Sequence, residues 1–82
     1  MTRAILIEWV GWYGVAATIL AYALVSALFL APTSLVYQGL NFTGAVGVTI
    51  ETWVHHDLQP FWLNLIWALI ALAAIVNIVR VF

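Results

Sequence analysis

Residues 58–80 read LQPFWLNLIWALIALAAIVNIVR and carry no charged side chain before Arg80. About 20 apolar residues, each rising about 1.5 Å in a helix, are enough to cross a bilayer's hydrocarbon core. The run from Phe61 to Val79 meets that need, so residues 61–79 are expected to form a membrane span. Toward the N-terminus, the next charges are Asp57, Glu51, Glu8 and Arg3. The stretch between Glu8 and Glu51 is therefore uncharged, and Pro32-Thr33-Ser34 divides it. Proline cannot continue the backbone ladder, and Ser34 is a good cap for a helix starting just after it. Two further spans are expected at residues 4–31 and 34–54, with His55-His56-Asp57-Leu58-Gln59-Pro60 as the polar loop before the last.

The composition agrees. Of 82 residues 67% are hydrophobic and 6% charged, whereas a soluble domain is about one quarter charged. Mean hydropathy is +1.16. The expected environment is a lipid bilayer, and the expected fold is an all-α membrane protein, a single three-helix transmembrane domain over residues 1–82. Two arginines and a net charge of −1 leave no electrostatic footprint for nucleic acid. The chain has no cysteine, which excludes disulfides, thiolate metal sites and cysteine nucleophiles.

A cleaved signal peptide competes for the first segment. Arg3 suits its charged start, and Val25-Ser26-Ala27 loosely resembles a cleavage site. Glu8 sits badly in such a start and the apolar stretch is long for one, so a retained span is expected. Three spans place the termini on opposite sides. The N-terminus then shares a face with the His55 loop, where Trp9, Trp12, Tyr13, Trp53, Phe61 and Trp62 read as an aromatic belt. Each face holds one arginine, so charge bias sets no orientation.

The middle segment is the least apolar. Gly39, Thr43, Gly47 and Glu51 are spaced by four, which gives a small-residue stripe for close helix packing, with Gly44 beside it. Small residues also recur at Gly14, Thr18, Ala21 and Val25, and Asn64, Ala68, Ala71 and Ile75 share a face of the last segment. Asn41 and Asn64 need polar partners in lipid. Each carries two readings, an interhelical hydrogen bond or a substrate-binding amide. Glu51 also carries two: an interfacial carboxylate in contact with water and paired with His55 at i+4, or a proton site relayed by His55 or His56. Glu8 reads as interfacial. Trp67 is packing filler or a cavity-lining ring. His55-His56-Asp57 beside Glu51 has metal-ligand residue types without a completing cluster, so no metal is expected. No catalytic constellation or phosphate loop is found. No enzyme and no cofactor are expected.

Tyr22, then Tyr37-Gln38-Gly39-Leu40-Asn41-Phe42-Thr43-Gly44, then Leu63-Asn64-Leu65-Ile66-Trp67 resemble a bacterial family of small three-span membrane proteins. Its pattern is approximately Tyr, then Tyr-Gln-x-x-Asn-x-x-Gly, then Asn-x-x-Trp. That family in turn is similar to the SemiSWEET and PQ-loop transporters, whose three-span chains form parallel homodimers of six helices around a sugar pocket. The resemblance implies the cytoplasmic membrane of a bacterium. It also implies a SemiSWEET-like bundle moving a small polar solute, with Asn64, Asn41, Tyr22 and Trp67 as pocket residues. A SemiSWEET carries a pocket asparagine twenty positions after a glycine, matched by Gly44 and Asn64, and Asp57-Leu58-Gln59-Pro60 resembles the intervening loop. Two hallmarks are absent: no Pro-Gln pair stands in the first segment, and Val48 occupies the position of the pocket tryptophan. The alternative expectation is a non-catalytic accessory subunit in a larger membrane complex, respiratory, photosynthetic or other.

Overall fold

A computed structural model describes residues 2–81. The chain is all-helical, with α1 at Arg3–Ser26, α2 at Leu35–Val54 and α3 at Leu58–Val81. At about 1.5 Å per residue, the 24 residues of α1 and of α3 each run about 36 Å. Both are long and apolar enough to cross a membrane.

Each start has a local cause. The Thr2 hydroxyl accepts a hydrogen bond from the Ile5 N–H at 3.3 Å, and Ser34 accepts from the Tyr37 N–H at 3.0 Å. Each satisfies one of the N–H groups that a helix start leaves unpaired. Gln38 Nε2 donates back to the Pro32 carbonyl at 3.0 Å and pins the turn before α2. The third helix begins three residues earlier than expected, with Leu58, Gln59 and Pro60 in its first turn. Proline is tolerated there because the first N–H groups of a helix have no intrahelical acceptor.

The end of α1 is a second correction. The helix stops at Ser26 rather than running to Ala31, so Pro32 is not what ends it. The Phe29 N–H donates to the Leu24 carbonyl and the Leu28 N–H to Val25, with Leu28 at φ 66°. This is a Schellman cap. The end of α2 repeats it: Asp57 N–H to Thr52, His56 N–H to Trp53, and His56 at φ 57°. Neither left-handed residue is glycine. Leu28 bears the larger steric cost, about 1–2 kcal/mol, and its side chain is exposed. Leu28→Gly is therefore expected to stabilise the protein by about 1 kcal/mol, read as a higher midpoint in thermal unfolding of the purified protein.

Packing centres on α2. It contacts α1 along one face and α3 along another, and among the described residues α1 and α3 make no contact with each other. The helices thus stand as an open layer, α1–α2–α3. The contact surfaces are built from small residues. The buried apolar side chains are Ala17, Ala21, Ala45, Ala68 and Ala71, and no large side chain described is fully buried. All five tryptophans face outward, as do Ile19, Leu20, Leu69 and Ile70. A core of alanine and glycine brings helix backbones close, which favours dispersion between them. It removes little apolar area from the surroundings.

Candidate functional site

A close helix approach lies between α1 and α2. A Cβ placed on Gly14 would stand 2.5 Å from the Gly44 carbonyl oxygen, and one on Gly44 would stand 2.8 Å from Thr18 Cγ2. Gly47 sits against the Val10 carbonyl and the Gly14 backbone. The packing face therefore runs through Gly44, Gly47 and Glu51. Two expected packing residues behave differently. Gly39 has nothing within 4 Å of where its Cβ would be, so it makes no close helix contact. Thr43 reaches α1 through its hydroxyl, 2.7 Å from the Tyr13 hydroxyl. Because Thr43 Oγ1 also donates to the Gly39 carbonyl at 2.9 Å, Tyr13 is the donor in that pair.

One turn further along, Glu51 folds its methylenes over Gly11. A Cβ on Gly11 would lie 2.7 Å from Glu51 Cγ, so only glycine leaves the carboxylate's stem in place. Glu51 Oε1 stands 3.6 Å from His55 Nε2 in the i, i+4 relation, with the histidine more than half exposed. Beside this pair lies an open cleft of about 220 Å³ lined by Glu8, Gly11, Trp12, Val15 and Glu51. On the same end, Trp53, Phe61 and Trp62 form a chain of rings with centroids 5.2 Å apart. Among the described residues no three histidine, aspartate or glutamate side chains gather as a metal site.

The four pocket residues expected from the resemblance do not converge within one chain. Tyr22 is 71% exposed on α1. Asn64 lies on α3, where Nδ2 donates to the Pro60 carbonyl of its own helix at 2.9 Å. Trp67 faces outward with Leu63, Ile66 and Ile70. Asn41 is 6% exposed on α2, between the α1-facing Gly44 and the buried Ala45 by the 100° step of a helix. Tyr22 lies near the C-terminal end of α1 and Asn64 near the N-terminal end of α3, which runs the same way, so the two stand at opposite ends of the molecule as well as on either side of α2. Glu8, interfacial by its place in the sequence, is joined to Glu51 only in the fold. The spacing of Glu8, Gly11, Trp12 and Val15 at i, i+3, i+4 and i+7 does place them on one helix face, and is the signal in the sequence that points to this wall.

A protein-family model matches residues 7–81, nearly the whole chain, and the chain belongs to that family. None of the curated proteins and none of the solved structures matches it.

Proposed function

We propose that this chain is a multi-pass integral membrane protein in which α1, α2 and α3 are three spans, and that it works as a SemiSWEET-like homodimer moving a small polar solute by alternating access. The observation that carries the membrane part is the reversal of residue sizes. Alanine and glycine lie inside, while tryptophan, leucine and isoleucine cover the outside. In water that surface would be an extended exposed apolar patch; in lipid it is solvated, and small residues at helix contacts are the favoured packing. The short connections between the helices, with both inner ends capped, leave few backbone groups unpaired. The cytoplasmic membrane of a bacterium is the location this reading takes.

The transport part draws on the open layer. A single copy encloses no solute path; Tyr22 stands near the C-terminal end of α1 and Asn64 near the N-terminal end of α3, so Asn64 and Trp67 are the pair left to line a shared space across two copies. Six helices rocking about a midplane site is the mode of movement. A second reading, the accessory subunit, is favoured by a different observation. Thr49 donates to the Ala45 carbonyl at 2.6 Å, Thr52 to Val48 at 2.7 Å and Asn64 to Pro60 at 2.9 Å. These polar groups are satisfied within their own helices, as packing residues would be.

Native mass of the untagged assembly, extracted gently from its own membrane, separates the two. Two copies and nothing else is the expected result, followed by loss of liposome uptake in Asn64→Ala with the dimer intact. A larger particle holding this chain at a fixed ratio to other subunits would overturn the carrier reading in favour of the accessory one.

A further inference from the structure

We propose that the cleft between α1 and α2, lined by Glu8, Gly11, Trp12, Val15 and Glu51, binds a small organic ammonium ion. Its volume is about 220 Å³, and glutamates from two different helices line it. Glu51 is held in place through its stem, which lies in the space a Gly11 side chain would fill. The Glu51 side chain is one-third exposed, and among the described residues His55 is its one ion-pair partner within 4 Å. Among the described residues neither arginine forms an ion pair within 4 Å of a carboxylate; Arg80 instead donates to Asn77 Oδ1 at 2.9 Å. The charged side chains at this end are Glu8, Glu51 and Asp57 against Arg3 alone, with His55 and His56 beside them. Among the residues that line the cleft two are glutamates and none is an arginine or lysine.

The other walls select the kind of cation. Trp12 and Val15 complete the lining, and an indole and a branched alkyl side chain attract an alkylated ammonium through cation–π contact and methyl packing. A bare divalent ion is a poor fit: calcium takes roughly six to eight oxygens, and two carboxylates beside an indole supply too few. A neutral polyol is a poor fit as well, because the lining offers acceptors without side-chain donors apart from the indole N–H. The same ammonium chemistry occurs in free solutes and in choline lipid headgroups. The inference rests on the α1–α2 contact and not on the transport reading, so loss of that reading would leave it standing.

The test uses the full chain in maltoside micelles, titrated with benzyltrimethylammonium chloride and followed by calorimetry. Saturable binding is expected, weakened at least tenfold in Glu51→Gln and in Glu8→Gln, and roughly three- to thirtyfold in Trp12→Leu. Neopentylbenzene, the uncharged analogue of the same shape, is expected not to compete. Glutamine keeps the shape of glutamate, and unchanged helicity and particle mass show that the variants fold. Absence of saturable binding, equal binding by the Glu8→Gln/Glu51→Gln double variant, or equal competition by the neutral analogue would each overturn the proposal. Repeating the titration in phosphatidylglycerol discs with and without phosphatidylcholine identifies the source. Competition by the choline lipid assigns the site to a headgroup, and its lack assigns it to a free solute.

Discussion

Gly14→Ala is expected to drive α1 and α2 apart, while Gly39→Ala is expected to leave the structure unchanged or slightly more stable. Both replace a helical glycine, and by propensity alone each gains up to about 1 kcal/mol. Their surroundings are opposite. The new methyl at position 14 would meet the Gly44 carbonyl at 2.5 Å and the Val48 backbone nitrogen at 2.8 Å, whereas at position 39 it meets nothing within 4 Å. Neither contact at position 14 is the end of a flexible side chain, so the helices themselves must separate. Overpacking of this kind costs about 1–3 kcal/mol. It would also lengthen the 2.7 Å contact between Tyr13 and Thr43. Denaturation in mixed micelles reads both signs, and equal stabilities for the two variants would refute the α1–α2 register.

Ile70→Arg is expected to impair insertion by about 2.5–3.5 kcal/mol, roughly two orders of magnitude in the insertion equilibrium. Ile70 lies at the middle of α3 and is 66% exposed, so the guanidinium would face the surroundings far from either end. Val79→Arg, near the helix end, is expected to cost little because the side chain can reach the interface. A glycosylation reporter placed after α3 measures the inserted fraction of each. If the outer surface of α3 met water instead, both substitutions would fall within about 0.5 kcal/mol, and equal insertion of both would remove the basis for the membrane reading.

Legibility from sequence differs among the elements for physical reasons. Ser34 is readable as a cap because an oxygen-bearing side chain before an apolar run satisfies a helix's free N–H groups whatever lies around it. The ends of α1 and α2 are not readable in that way. Glycine is the usual signal for a left-handed cap, and here Leu28 and His56 take its place. Pro60 looks like loop because proline breaks helix interiors, yet in a first turn it disturbs no hydrogen bond.

By itself the sequence determined that the chain is helical, where its charges lie and that its helix contacts are made of small residues. These features come from hydrophobic length, proline and capping chemistry, all of which act over a few residues. Only the tertiary structure decided which glycines are contacts. Along the chain Gly39 and Gly47 share the four-spaced stripe with Gly44 beside it, and the register of α2 against α1 seats Gly44 and Gly47 and leaves Gly39 open. It also decided that α2 stands between α1 and α3 and that Glu8 and Glu51 line one cleft. Residues 43 positions apart meet because two antiparallel helices pack in one register, and that register is a property of two surfaces at once.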